Sequence, residues 1–146
     1  MKLLSILLAS FVCVSLSAQQ ILYINSNDHL QKGYPFSQAT LVNNIIYLSG
    51  ELGTTSDGTL VEGGIVPETI QALKNISETL EYMESSIDNV FKCTCMLADI
   101  KDWPQMSKAY KSFFKPERLP ARSAFAGSGL ALNARIELEC WAVLKD

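Results

Sequence analysis

Histidine is nearly absent from this chain: His29 is the only one among 146 residues. With no cluster of Cys and His at zinc-like spacing, the sequence offers no metal-ligand set. Runs of Lys and Arg are also missing, and the balance is acidic, with net charge −3. A nucleic-acid binder usually carries a concentrated basic face, so this composition argues against one. Cysteine is scarce. Cys13 lies in the N-terminal segment, which leaves Cys93, Cys95 and Cys140. An odd number of cysteines does not describe a disulfide framework, and all three read as small buried apolar side chains. The alternative is a redox role. Cys93 and Cys95, two apart in an expected strand, point to one face. No internal repeat or low-complexity tract is visible.

The long apolar run sits at the start. Residues 1–18 read MKLLSILLASFVCVSLSA: one early lysine, an uncharged apolar stretch, then small residues. This is the pattern of a secretory leader. It is short for a membrane span, which needs about 20 residues. The expected cleavage lies near Ala18 or after Ser17, leaving one domain over 19–146 in an exported protein, periplasmic or secreted. An uncleaved N-terminal anchor is the alternative. A lipid anchor at Cys13 is not expected, because Ser10-Phe11-Val12 lacks the small residues that precede a lipidated cysteine. Without Lys2, 11 basic side chains stand against 15 acidic ones, a net charge of −4.

The remaining chain alternates strand and helix signals. Residues 21–24 suggest a short strand. Residues 37–42 and 44–49 suggest a hairpin turning at Asn43-Asn44. Asp57-Gly58 and Gly63-Gly64 are breaks. A helix is expected from near Pro67 to near Ser85-Ser86, with Thr69, Ala72, Leu73, Ile76, Leu80 and Met83 as its apolar stripe. The sequon at Asn75 falls inside it and carries little weight. A central strand over 90–98 follows. Asp102 and Gln105 have capping-box spacing for a second helix, whose buried face is Met106, Tyr110, Phe113 and Phe114. Two strands, 121–126 and 134–144, end the chain.

The last strand has two faces. Ile136, Leu138, Cys140, Ala142 and Leu144 should lie under the helices. Arg135, Glu137, Glu139, Trp141 and Val143 occupy the other side, a mixture odd for a fully solvated surface. A domain of this size buries only about two-thirds of its surface alone. The pattern implies an oligomer whose subunits meet across that face, leaving a polar cleft between them.

Chemistry concentrates at the C-terminal end. Arg122 follows Pro120-Ala121 and offers the planar donor pair that grips a carboxylate. Glu137, expected on a neighbouring strand, can orient or deprotonate a water. Together they suit hydration of a small carboxylate-bearing imine. A structural ion pair across strands is the competing interpretation.

Several segments at fixed spacing carry a resemblance: Tyr34-Pro35-Phe36-Ser37-Gln38-Ala39, Ile46-Tyr47-Leu48-Ser49-Gly50, Gln71-Ala72-Leu73-Lys74-Asn75-Ile76, Val90-Phe91-Lys92-Cys93-Thr94, Leu97-Ala98-Asp99-Ile100, Pro120-Ala121-Arg122-Ser123-Ala124 and Ile136-Glu137-Leu138-Glu139. Over about residues 25–145 the chain resembles the RidA/YjgF family of reactive-intermediate deaminases. The resemblance implies a chorismate-mutase-like α+β fold, a mixed six-stranded sheet with two helices on one face. It implies a homotrimer with clefts at subunit interfaces and no cofactor. The implied reaction is hydrolysis of 2-imino acids or enamines to 2-keto acids and ammonia, with no nucleic-acid partner and no membrane contact after leader removal. By resemblance, Arg122 clamps the substrate carboxylate, Glu137 positions water, and Gly50 lines the pocket through its backbone.

Phe36, Ser107 and Ala124 also fall at pocket positions. Relatives often have tyrosine at the first, and some have asparagine or cysteine at the others. Phe36 therefore lacks a hydroxyl, with Tyr34 nearby as a substitute. Glu51 stands where glutamine is common and adds negative charge if it faces the cleft. A non-catalytic carboxylate-binding or chaperone-like trimer is the alternative. An endoribonuclease, a label some members carry, is disfavoured by the acidic balance and lone His29.

Overall fold

A computed structural model of the chain describes residues 20–145. The expected leader and its cleavage point lie outside the described residues. The chain builds β1 (Ile21–Ile24), α1 (Asn27–Lys32), β2 (Ala39–Val42), β3 (Ile45–Leu48), β4 (Glu51–Leu52), α2 (Ile65–Tyr82), β5 (Val90–Leu97), α3 (Trp103–Lys111), β6 (Ala121–Ala126) and β7 (Ile136–Val143). The strands form one mixed sheet in the order β1-β2-β3-β7-β5-β6, with the two-residue β4 also on β7. That makes seven strands against the six expected; β4 is the addition. Only β5 and β6 run parallel.

Helices α2 and α3 cover one face. The α2 stripe is buried as its spacing requires: Thr69, Ala72, Leu73, Ile76 and Leu80 are almost wholly covered, and Met83 closes the row. Ile136, Leu138, Cys140 and Ala142 meet them from β7. Each large apolar side chain sealed there contributes roughly 1.5–3 kcal/mol. The other face is uncovered and keeps Tyr23, Phe91, Phe125 and Val143 exposed. There the rings of Tyr47 and Phe91 pack edge-on against Trp141.

Three local expectations are corrected. Cys93 and Cys140 are not independent apolar side chains. They face each other across β5 and β7 and form a disulfide. Among the described residues Cys95 is the one free thiol; burial pushes it up to about 11, so it stays protonated at neutral pH. Asp102 does not cap α3 with its side chain. A short 3-10 turn over Ile100–Asp102 runs directly into the helix, so Asp102 already has helical backbone angles. Its carboxylate turns instead to Arg135, accepting from Nε at 2.8 Å and pairing with a terminal nitrogen at 2.6 Å. Glu68 accepts from the Arg135 backbone N–H at 2.7 Å. The loop between β6 and β7 is thereby tied to both helices.

The third concerns α1, where no helix was expected. It is short and lacks an apolar stripe. Ser26 Oγ accepts from the His29 N–H at 3.2 Å at its start, and Gly33 ends it in the left-handed region. Asp28 and Lys32 pair one turn apart at 2.7 Å.

Candidate active site

Arg122 lies on the edge strand β6, at the register of Cys93, on the helix-covered face. One face of α3 receives its guanidinium. The Trp103 ring centroid lies 5.6 Å from the guanidinium carbon and that of Tyr110 4.9 Å. One terminal nitrogen donates to Ser107 Oγ at 2.9 Å, and the other lies 3.9 Å from the Met106 sulfur. Cation–π contacts and one hydrogen bond thus fix the fork and leave donors free. The Tyr110 hydroxyl is buried without a partner, and burial drives its pKa up. Tyr110 therefore serves as an apolar platform. Ala124, two residues along β6, shares the Arg122 face and is half-buried.

Glu137 lies elsewhere. It sits on β7 opposite Leu52 and Met96, on the uncovered face. Its carboxylate rests against Gly50: a Cβ added there would stand 2.0 Å from Glu137 Oε1. A side chain at 50 and the observed Glu137 position exclude each other. Ser49 Oγ donates to the Ser37 carbonyl at 2.7 Å, which ties the segment following Phe36 to the same spot. Phe36 is half-exposed. Its ring stacks nearly parallel on Tyr34, with centroids 5.4 Å apart, so a phenol does lie beside it.

The expected neighbouring strands for Arg122 and Glu137 are therefore corrected. β5 lies between β6 and β7. The residues are three register positions apart along β5, which with two strand spacings separates their Cα atoms by about 14 Å. They also point to opposite faces. The candidate residues fall into two separate groups: Arg122 with Ser107 and Ala124, and Glu137 with Gly50 near Phe36. No ion pair joins them.

Glu51 faces away from Glu137. Its register partner is Leu138, which places its side chain on the helix side. Burial raises its pKa from 4.5 to about 7; Lys32 opposes the rise, and the charges of Glu137 and Glu78 add to it. Among the described residues no group of three or more His, Cys, Asp or Glu gathers as a metal site. Sequence reasoning missed Trp103 as an Arg122 contact and placed Tyr110 only in the core. The available signal was the spacing of 103, 107 and 110, which share one helix face.

A mixed sheet with two helices packed on one side and an arginine held against one of them at the sheet's edge defines a small α+β domain. The family described as Endoribonuclease L-PSP matches residues 27–144. The chain belongs to this family, also known as RidA/YjgF. The human protein named 2-iminobutanoate/2-iminopropanoate deaminase is 44% identical over 110 residues, covering 75% of this chain and 80% of the relative. The crystal structure of yeast Mmf1 superposes with a TM-score of 0.72 at 35% identity, over 76% of this chain and 88% of that one. RidA from a Psychrobacter species gives 0.72 at 28% identity, over 76% and 89%.

Proposed function

We propose that this chain hydrolyses 2-imino acids, or their enamine tautomers, to 2-keto acids and ammonia at sites completed between two copies of the chain. The observation that carries this is the division of the candidate residues into two half-sites on opposite faces of one sheet. Arg122 and Glu137 can act on one small substrate only if they come from different protomers. The uncovered aromatic face supplies a surface for such association, and a homotrimer presents three equivalent junctions. The deaminase name of the human relative supports the reaction class.

In this reading Arg122 binds the substrate carboxylate through its free donors. Its charge also draws electron density from the adjacent C2. Glu137 of the neighbouring protomer orients a water and accepts its proton as oxygen adds to C2. Glu137 passes that proton to the imine nitrogen, giving a tetrahedral amino alcohol; it then takes the hydroxyl proton as the carbonyl forms and hands it to the departing nitrogen, the C–N bond breaks, and ammonia leaves. One water is consumed and one ammonia is released. The imine carbon is already electrophilic, so the reaction calls for no cofactor. The Cys93–Cys140 disulfide agrees with an exported, oxidised location.

Subunit mixing tests the proposal. Arg122→Ala and Glu137→Ala proteins are each assayed with imine generated by an L-amino-acid oxidase, semicarbazide trapping what remains. Each alone is inactive. After dissociation and reassembly at equal amounts, three-quarters of random trimers contain both variants, and each such trimer rebuilds one intact junction in three. About a quarter of wild-type activity returns. Recovery near zero with confirmed mixed trimers refutes the shared site; buffer-level rates for wild type refute the deaminase activity itself.

A further inference from the structure

The chain's only histidine is buried. It belongs to α1, and every other residue of that short helix is exposed. A helix of this length does not hold by itself in water, so the His29 ring is what docks it to the rest of the chain.

The ring is fixed from several sides. The His29 backbone N–H is tied to the Ser26 cap. The rings of Tyr34 and Phe36 stand against the imidazole at centroid distances of 5.1 and 5.6 Å, the second edge-on. Nε2 lies 2.8 Å from the Phe36 carbonyl oxygen. A carbonyl only accepts, so Nε2 carries the hydrogen and donates it. The neutral Nε2–H tautomer and the imidazolium both supply that hydrogen.

This bond is the first of a row. The Ser37 carbonyl accepts from Ser49 Oγ at 2.7 Å, and the Gln38 carbonyl accepts from the Ser49 N–H at 3.1 Å. The Gln38 N–H donates to Asn25 Oδ1 at 2.9 Å. β2 begins only at Ala39, so at Phe36 and Ser37 side-chain donors take the place of a strand ladder. Two of the three donors come from Ser49, which precedes the glycine that the Glu137 carboxylate rests against. The remaining donor is His29.

We infer that His29 is a positioning residue for the site proposed above: it fixes the Phe36 carbonyl, and through it the Phe36–Gln38 segment that is fastened to Ser49 and Gly50 beside Glu137. The inference rests on the deaminase reading. The His29 ring is buried behind Tyr34 and Phe36 and its Nε2 is committed, so it acts through the backbone it holds and touches no substrate. A histidine that only filled space under α1 would need its ring and not its N–H.

Two variants separate donor from ring. His29→Gln keeps an N–H able to reach a carbonyl, and His29→Phe keeps an aromatic ring without the donor. Both are assayed with oxidase-generated imine and semicarbazide across pH, beside thermal melts. A 1 Å misplacement of a catalytic group costs on the order of 100-fold, and only part of the segment's shift reaches Glu137, so kcat of His29→Phe should fall about tenfold. KM should change little, because the carboxylate is held by Arg122 of the other protomer. His29→Gln should retain most of kcat, and the pH profile of kcat should keep its shape in both, since His29 exchanges no proton with substrate. The reverse order, with His29→Gln the worse enzyme, overturns the inference, as does a His29→Phe protein that melts earlier with kcat unchanged. Wild-type rates at buffer level overturn the deaminase reading instead, and the positioning role with it. A measurement on wild type needs no variant to fold: without a histidine tag, the imidazole ¹⁵N–¹H spectrum contains this one ring. A hydrogen on Nε2 is expected, and a neutral ring protonated on Nδ1 overturns the inference.

Discussion

Replacing Gly50 by alanine places a methyl group where the Glu137 carboxylate now rests. The new Cβ would meet Oε1 at 2.0 Å, whereas ordinary contact begins near 3.4 Å. The carboxylate must retreat by about 1.4 Å, and misplacement of a catalytic group by 1 Å costs on the order of 100-fold. kcat/KM for imine hydrolysis should therefore fall about 100-fold, near 3 kcal/mol of transition-state stabilisation. The loss should lie in kcat, because Arg122 is on the other half-site and substrate binding survives. Stability should change little, since the obstructing atoms belong to the free end of a side chain. Gly53→Ala provides the contrast. Its Cβ would stand 2.5 Å from the Glu68 Cα and 2.6 Å from the Glu68 carbonyl, backbone that cannot swing aside. That variant should lose stability by about 1–3 kcal/mol or more. The semicarbazide-coupled assay and thermal melts distinguish the two. A Gly50→Ala protein within threefold of wild-type kcat refutes a water-positioning role for Glu137 at that location.

Other outcomes follow from the same contacts. Trp103→Ala removes one ring from the Arg122 cradle and should raise KM about 2- to 30-fold with kcat nearly unchanged, while Trp103→Phe restores most of it; steady-state kinetics with two substrates of different side-chain size checks this. Glu51 has a higher pKa folded than unfolded, so the folded state binds the proton more tightly. Its contribution favours folding at low pH and is lost as pH rises from about 4.5 through about 7. Glu51→Gln should remove that slope and stabilise the protein at pH 8 by at most about 3 kcal/mol, with no gain at pH 4, as read by chemical denaturation across pH.

Where a periodic pattern spans a whole element, the sequence was a sufficient guide. The alternation from Ile136 to Val143 and the stripe from Thr69 to Met83 each repeat enough to define a face. Non-local facts were not legible. Nothing in the residues of β6 and β7 reveals that β5 passes between them, so Arg122 and Glu137 were expected as neighbours. The Cys93–Cys140 bond depends on the same hidden register. Asp102 misled because capping-box spacing was present while a 3-10 turn had already entered the helix. α1 had legible ends, Ser26 and Gly33, but no apolar repeat between them to draw attention.

The Cys93–Cys140 bond joins the middle of the sheet to its last strand, and residues 127–135 lie inside the loop it closes. A protease cutting that exposed connection would sever the backbone without releasing a fragment. Nicked molecules would migrate as one band on a non-reducing gel and as two after reduction. Outside a cell, where proteases are common and reductants scarce, such a molecule keeps β7, and with it Glu137, attached after the chain itself has been cut.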